Sequence, residues 1–324
     1  MLESGSCLIN GQPTSPYKRI IDGRHPLINV AECVICGAAI RNGRSAVVAP
    51  FLAKRIWNRS AFAAQLANCE SCGLEFFNPR LEPEDEKRLY FRYRTEEYQR
   101  MRYATEPWYT EKFNESLSSD AAWQNRKRRL EPIVRELFAG KKIETVLDFG
   151  GSRGELATLL FPKAKRFVYD ISEVETVPGV IPLHSEEECR QHQFDLIVTS
   201  NLLEHVGFPR QLMQPITAIA SPGTLVFHEV PFEVSGGFMT MAKRMAQLAV
   251  LGISRPTVAA SLMKPGGLHV MHEHVNYFSP KSLDALMQQT GWKVLASGKY
   301  SLGNSSWSPQ MLWTLAERGS ENKA

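Results

Sequence analysis

An acidic residue followed by a run of glycines is the part of this sequence whose spacing most clearly predicts chemistry. The strand-like run Thr145–Phe149 contains Asp148. Three glycines follow before a helical pattern begins, namely Gly150, Gly151 and Gly154. A glycine turn between a strand and a helix brings backbone N–H groups close to a bound cofactor in doubly wound α/β folds. The sequence therefore predicts a cofactor-binding turn at this point.

The residues of this turn discriminate between two kinds of cofactor. A dinucleotide fingerprint, G-x-G-x-x-G, that ended at Gly154 would need glycine at position 149, which is Phe149. The carboxylate of Asp148 would repel a pyrophosphate, whereas it suits the ammonium group of S-adenosylmethionine (SAM). Asp170 ends the next strand-like run and can accept the ribose hydroxyls of an adenosyl group. These acids favour SAM, although NAD sites also place an acid at the second position.

A third strand-like run, Phe194–Ser200, opens into a polar segment that contains Asn201 and His205. Together with the run Pro222–Pro231, these motifs follow the order found in class I SAM-dependent methyltransferases, which the chain resembles over about residues 120–318. The resemblance implies a doubly wound, Rossmann-like α/β fold with a seven-stranded, mostly parallel sheet. It also implies that Asn201 lines the methionine part of SAM.

Alternation of strands and helices supports the same fold, because such a pattern favours a parallel sheet with right-handed crossovers. The predicted strands lie near residues 144–150, 166–171, 180–184, 194–200, 223–230, 292–300 and 310–317. The predicted helices lie near residues 121–138, 153–161, 208–219 and 280–290.

Two cysteine pairs predict a metal site near the amino terminus. They have the form C-x-x-C-G and consist of Cys33 with Cys36 and of Cys69 with Cys72. Each pair can direct two thiolates at one point, so that together they form a closed, structural zinc site with four thiolates. Two disulfides or free buried thiols are the alternatives, and the disulfides are disfavoured in a cytosolic chain.

These motifs divide the chain into three parts. Residues 1–28 are predicted to be a flexible tail, and residues 29–110 a zinc-binding region with aromatic-rich helical sequence. Residues 111–324 are predicted to form the methyltransferase domain, with an insertion at 233–268. Within the second part, residues 83–103 have the pattern of a single helix.

The insertion has three interpretations. It contains a Met-rich, amphipathic-to-apolar helix and follows the predicted fifth strand, at the edge of the sheet where active sites lie. It could cover the substrate as a lid, pack against the amino-terminal region, or contact a membrane surface through residues 237–252. The membrane contact is the least favoured of the three.

A dense polar segment before the last predicted helix supplies the remaining candidate catalytic residues. The run Glu273-His274-Val-Asn-Tyr-Phe-Ser resembles sugar C-methyltransferases and related methyltransferases of polysaccharide and natural-product pathways. The resemblance implies that His205, Glu273 and His274 line the active site and that one histidine is the general base. Met271 and His272 stand where that group often has tyrosine, which leaves O-methylation open beside C-methylation. A catalytic metal among these histidines is a further alternative.

Bulk properties favour a cytoplasmic protein that acts on a small molecule. The net charge of +4 over 324 residues gives no reason to expect nucleic acid binding. The basic cluster Arg126–Arg129 has the pattern of a solvated helix face. No apolar run reaches the ~20 residues that span a bilayer. The alternative to an enzyme is a zinc-bearing binding module on a degenerate methyltransferase fold, although the retained acids at 148 and 170 oppose it.

Overall fold

The computed structural model describes residues 18–20 and 26–319, apart from positions 94, 118, 173, 237, 266–268 and 306. Most of the predicted flexible tail, residues 1–28, therefore lies outside the described residues, as do parts of the predicted insertion.

The amino-terminal region alternates short strands and helices. Its strands are β1 (Lys18–Ile20), β2 (Leu27–Asn29), β3 (Asn42–Val48), β4 (Ala63–Asn68) and β5 (Glu75–Asn78). Its helices are α1 (Pro50–Trp57), α2 (Pro83–Tyr90), α3 (Glu96–Tyr103), α4 (Glu111–Leu117) and α5 (Asp120–Leu137). The single helix predicted over residues 83–103 is thus wrong, because a turn at 91–93 separates α2 from α3.

The rest of the chain begins as a regular strand–helix alternation. Its strands are β6 (Thr145–Phe149), β7 (Lys165–Tyr169), β8 (Val180–Leu183), β9 (Leu196–Ser200), β10 (Leu225–Phe232), β11 (His269–Met271), β12 (Asn276–Tyr277), β13 (Trp292–Ser301) and β14 (Gln310–Arg318). Its helices are α6 (Glu155–Leu160), α7 (Glu186–Arg190), α8 (Pro209–Ile219), α9 (Phe238–Ser254), α10 (Pro256–Met263) and α11 (Pro280–Gln289).

Seven of these strands form one sheet in the order β13-β14-β10-β9-β6-β7-β8. The pairs from β8 to β10 are parallel, whereas β14 pairs antiparallel with both β10 and β13. The strand order reverses beside β6, so a crevice opens at the carboxyl ends of β6 and β9, where ligands bind in such sheets. The predicted α/β fold with a seven-stranded, mostly parallel sheet is confirmed.

Both faces of this sheet are covered, which explains the continuous apolar runs of its central strands. Successive residues of β6 enter different cores: Val146 packs with Leu130 of α5, and Leu147 packs in the cluster that contains Ile216 of α8. The second cluster also includes Cys72 of the predicted metal site. The cysteine region therefore shares a core with the sheet.

A second sheet joins distant parts of the chain. Its order is β11-β3-β4-β5-β12, so two short strands from residues 269–277 pair with the opposite edges of the amino-terminal strands. The connection between β11 and β12 thus crosses from one edge of this sheet to the other and carries Glu273 and His274. The predicted division of the chain at residue 110 did not include this pairing of strands from residues 269–277 with the amino-terminal sheet.

The insertion packs on the same amino-terminal sheet. Leu251 of α9 and Leu262 of α10 form a small core with Val47 of β3, and Trp108 packs against it. These contacts are those of the packing interpretation, while a lid remains a prediction. Among the described residues, no helix has both the length and the apolar character required to cross a membrane.

Candidate active site and metal centre

The backbone of the turn after β6 requires glycine, because of its φ angles and because it passes close to Asp148. Gly150 and Gly154 have φ angles of 73° and 79°, a region that favours glycine. A Cβ atom added at Gly151 would lie 2.1 Å from Cγ of Asp148. The turn therefore passes directly over the buried carboxylate at the end of β6.

The carboxylate of Asp148 has spare hydrogen-bonding capacity. Its Oδ2 accepts a weak hydrogen bond from the Ala157 N–H at 3.4 Å, and its Oδ1 has no hydrogen-bond partner among the described residues. Burial raises the pKa of Asp148 to about 7. A buried acceptor without a partner is costly unless a ligand supplies a donor. The turn thus fits a cofactor that carries an ammonium group.

Two further predicted cofactor residues lie at neighbouring strand ends. Asp170 follows β7, and its two oxygens accept the N–H groups of Ser152 at 2.7 Å and Ser172 at 2.8 Å, which fixes the orientation of the carboxylate. Asn201 follows β9 with a φ of 50°, and its N–H donates to the Glu229 carbonyl at 3.0 Å. Both residues border the crevice at the carboxyl edge of the sheet.

A buried ion pair lies beside the carboxyl end of β9. Arg126 of α5 pairs with Glu229, which is fully buried at the middle of β10 and also accepts hydrogen bonds from Ser200 at 2.8 Å and from Tyr300. The interpretation of the basic cluster as a solvated helix face is wrong for Arg126, because Glu229 draws its guanidinium inwards.

The structure brings His205 and His274 together, with ring centroids 4.7 Å apart. Nδ1 of His205 lies 3.1 Å from the Glu273 carbonyl oxygen and 2.8 Å from the Tyr90 hydroxyl. The carbonyl oxygen can only accept, so this contact favours the tautomer of neutral His205 with its proton on Nδ1 and with Nε2 as the basic nitrogen; the Tyr90 hydroxyl would then accept from Nδ1. Burial, together with the charge of His274, lowers the pKa of His205 to about 3. His205 is therefore neutral near pH 7.

The second histidine has the opposite protonation state. Nδ1 of His274 lies 2.6 Å from a carboxylate oxygen of Glu233. Burial alone would lower the pKa of His274, but the hydrogen bond and the charge of Glu233 outweigh it and raise the pKa to about 9. A cationic donor thus stands beside a neutral base, an arrangement typical of catalytic sites.

A buried carboxylate completes this group. Oε1 of Glu204 lies 3.7 Å from Nε2 of His205, and neither carboxylate oxygen has a hydrogen-bond partner among the described residues. Burial raises the pKa of Glu204 to about 7. Glu204, His205 and His274 place ligand-type atoms within 4.8 Å of one another. The group can therefore bind a polar substrate atom or a cation.

The carboxylate of Glu273 has a different environment. Oε1 accepts the Tyr98 hydroxyl at 2.6 Å, and Oε2 pairs with Arg102 at 2.7 Å. Arg102 also pairs with Glu106 at 2.7 Å, and Glu106 contacts His272 at 3.0 Å. This buried network ties the connection between β11 and β12 to α3. It holds the Glu273 backbone, whose carbonyl orients His205.

Arg80 fixes the same loops from the other side. The side chain is 1% exposed and donates to the carbonyl oxygens of Gly207 at 2.8 Å, Phe77 at 2.8 Å and Val275 at 3.1 Å. It also donates to Oδ1 of Asn276 at 2.6 Å. One guanidinium therefore joins the amino-terminal sheet to the loop that carries His205.

Replacing Arg80 by methionine is expected to lower the free energy of unfolding by about 3–5 kcal/mol, since several buried acceptors lose their donor. The matched control is Arg190→Met, because Arg190 has a half-exposed side chain and an ion pair at 2.8 Å with Glu187, which is exposed. That change should cost less than about 1 kcal/mol. Urea unfolding of both variants checks this, and equal losses would contradict the role given to Arg80.

The four predicted metal-ligating cysteines converge. Their Sγ atoms all lie within 4.8 Å of one another, with Cys33 and Cys72 at 3.6 Å and Cys36 and Cys69 at 3.5 Å. These separations are too long for S–S bonds, which are about 2.05 Å. They suit sulfurs that each lie about 2.3 Å from a shared tetrahedral ion. The Ile35 N–H also approaches Sγ of Cys33 at 3.5 Å, as expected for a thiolate acceptor.

The four-cysteine cluster contacts α11, the helix that follows β12. Ser279, the N-cap of α11, accepts the Ser282 N–H at 3.1 Å and donates to the Cys72 carbonyl at 3.2 Å. Ser279 lies only five residues after His274. The second cysteine knuckle therefore supports the segment that carries His274.

Sequence reasoning missed residues that come from outside the motifs. Tyr90, Glu204 and Glu233 all face the histidine pair, yet only Glu204 adjoins a recognised motif. His228 is fully buried on β10 and contacts Thr199.

Comparison with known proteins identifies the class to which this sheet and glycine turn belong. Residues 122–297 match the family described as methyltransferase domain. The match covers more than half of the chain, and the chain therefore belongs to this family. Its strand order and glycine turn are those of the class I SAM-dependent methyltransferases.

The individual relatives described here share less than 30% sequence identity with this chain. The ubiquinone biosynthesis O-methyltransferase of Pseudoalteromonas translucida (strain TAC 125) is 29% identical over 127 residues, 37% of this chain. The chain spans about half, 46%, of the length of that curated relative. Among solved structures, Burkholderia thailandensis 1,6-didemethyltoxoflavin-N1-methyltransferase is 14% identical with a TM-score of 0.45, covering 79% of this chain and 96% of that one. Human N-acetylserotonin methyltransferase is 15% identical with a TM-score of 0.40, covering 72% and 59%.

Proposed function

We propose that this protein transfers a methyl group from SAM to a small-molecule acceptor, with His205 as the general base. The observation that carries the proposal is the contact between Nδ1 of His205 and the Glu273 carbonyl oxygen, which favours a proton on Nδ1 and leaves Nε2 to accept another. The cofactor would be held by Asp148, Gly150, Gly151 and Gly154 at its methionine end, by Asp170 at the ribose and by Asn201.

The chemistry requires little more than alignment and removal of one proton. Bound SAM supplies a methyl group that is already activated on a sulfonium sulfur. Nε2 of His205 would accept the proton of the acceptor, and the freed electron pair would form the bond to the methyl carbon as its bond to sulfur breaks and S-adenosylhomocysteine leaves. Protonated His274 donates a hydrogen bond to an acceptor oxygen, and Glu273 positions the loop through Tyr98 and Arg102.

A sugar-type acceptor, nucleotide- or lipid-linked, belongs to the same proposal. It is supported by the run from Glu273 to Ser279 that resembles the sugar C-methyltransferases. The tyrosine that this group often carries before the Glu-His pair is absent from residues 271 and 272, but Tyr90 of α2 brings a hydroxyl to His205 at 2.8 Å. The site can thus serve either a carbon acid beside a carbonyl or a hydroxyl.

We further propose that the four-cysteine cluster binds zinc and that the ion is structural. Four thiolates leave no open coordination position for a substrate. The cluster lies in the core shared with α8 and α11. A bound ion would therefore stabilise the packing of the amino-terminal sheet against the methyltransferase domain.

Calorimetric titration tests the cofactor. We expect the zinc-replete protein to bind SAM and not NADH, and Asp170→Ala to weaken SAM binding at least about tenfold, because a hydrogen-bonding acceptor for the ribose is lost. Asp284→Ala is the matched control, since Asp284 lies on α11 and contacts Ser297 and Thr314. Normal SAM affinity in Asp170→Ala would contradict the assignment. Failure of the wild type to bind SAM would favour the non-catalytic binding module.

A further inference from the structure

One face of α9 is apolar and yet exposed. Six residues lie within a single arc of the helix at 100° per residue, and none has a polar side chain. They are Ala242, Met245, Ala246, Ala249, Val250 and Ile253, and all are exposed, Ile253 by 88%. The opposite face is buried through Arg244 and Leu251. The helix therefore has a second apolar surface besides the one that packs through Leu251 on Val47 of β3.

We propose that this face of α9 docks on an anionic lipid bilayer. The insertion is free of acidic residues: between Glu233 and Glu273 the sequence contains no Asp or Glu, although the whole chain has 34 of them in 324 residues. Lys243 of α9 adjoins Ala242 in the sequence, and both Lys243 and Lys264, just after α10, are exposed. Apolar side chains flanked by lysines and without carboxylates complement acyl chains below anionic headgroups.

The size of the face argues against a second copy of the chain as its occupant. The arc from Ala242 to Ile253 spans about 18 Å at 1.5 Å per residue, on a helix about 10 Å wide. Such a strip covers about 200 Å², well below the ~800 Å² that each partner contributes to a stable protein interface. A bilayer accepts a single shallow helix, because the apolar side chains enter the lipid without a complementary partner surface.

Docking through α9 would also set the position of the catalytic site. The helix begins five residues after Glu233, which holds His274 through a 2.6 Å contact. Ser235, between them, is buried and bonds to Glu75 of β5. The short, anchored connection would hold the site close to the bilayer surface.

Vesicle sedimentation tests the proposal without any measurement of activity. The full-length protein is mixed with vesicles of phosphatidylcholine, or with vesicles in which phosphatidylglycerol replaces part of it. We expect wild-type protein to bind the anionic vesicles at least about tenfold more strongly, and Ile253→Glu to lose about tenfold of that binding. Ile181→Glu is the matched control, because it adds the same charge at an exposed isoleucine on β8.

The outcomes separate lipid from the other occupants. Loss of binding in Ile253→Glu, with Ile181→Glu unchanged and both variants retaining the wild-type melting temperature, supports the proposal. Absence of wild-type binding to anionic vesicles would overturn it, as would equal binding to both kinds of vesicle. A dimer in light scattering that becomes a monomer in Ile253→Glu, without vesicle binding, would overturn it in favour of a second copy.

Discussion

Serine in place of Cys72 is expected to abolish zinc binding and to lower the melting temperature by about 10–20 °C. Structural zinc contributes about 10–16 kcal/mol in isolated zinc-finger peptides. Because Cys72 packs in the core shared with the large sheet, we expect loss of about 5 kcal/mol here rather than complete unfolding. Each 1 kcal/mol corresponds to about 2–4 °C in a domain of comparable size. Metal analysis checks the loss of zinc, and calorimetry checks the fall in melting temperature.

The control for this change is Cys189→Ser. Cys189 is fully buried on α7 but lies outside the four-cysteine cluster, so its replacement disturbs packing without removing a ligand. If both serine variants retained one zinc per chain and melted alike, the metal centre would be refuted. If Cys72→Ser kept its zinc but melted at a lower temperature than Cys189→Ser, the ion would lie outside the four-cysteine cluster. The group of Glu204, His205 and His274 would then be the first candidate for its site.

Replacing His205 by glutamine is expected to lower kcat by about 10²–10⁴-fold, the usual contribution of a positioned general base. Glutamine can still donate a hydrogen bond towards the Glu273 carbonyl, but it cannot accept the proton. The affinity for SAM should change less than about threefold, because the proposed cofactor residues are untouched. Single-turnover methyl transfer and SAM titration measure the two quantities separately.

His184→Gln provides the matched control, because His184 is exposed beyond β8. It should leave kcat unchanged. The pH profile offers a second check: His205, with a pKa of about 3, stays neutral through the neutral range, whereas His274 loses its proton as pH rises through about 9. The histidine pair should therefore cause a fall in activity only above about pH 9, and a change near pH 7 would come from the carboxyls of Asp148 and Glu204, whose pKa values are raised to about 7. A kcat within threefold of wild type in His205→Gln would contradict the assignment.

The large sheet was predictable because its strands and helices carry strong local signals. Continuous apolar runs marked β6 and β9, and the Ser-Pro pair at 279 and 280 marked the start of α11. The glycine turn and the cysteine pairs were predictable because each depends on fixed short spacing. The structure places the four thiol sulfurs within 4.8 Å, as that spacing requires.

What the sequence did not reveal depends on contacts between distant segments. The strands β11 and β12 have three and two residues, too few for any periodic pattern. Glu233 is a single acid in a connecting segment. Only the fold shows that its carboxylate contacts His274 and stabilises the protonated form of that histidine. The inward turn of Arg126 likewise depends on Glu229, which lies 103 residues away along the chain.

The pairing of β11 and β12 with the amino-terminal strands affects how this protein folds during its synthesis. The cysteines of the metal centre leave the ribosome early, but both edges of the sheet beside them wait for residues 269–277. Until then β3 and β5 expose unpaired backbone groups, a configuration prone to non-native pairing. Such long-range pairing raises contact order and slows folding. The amino-terminal sheet is translated before residues 269–277 but therefore completes its pairing only with them, together with the segment that carries Glu273 and His274.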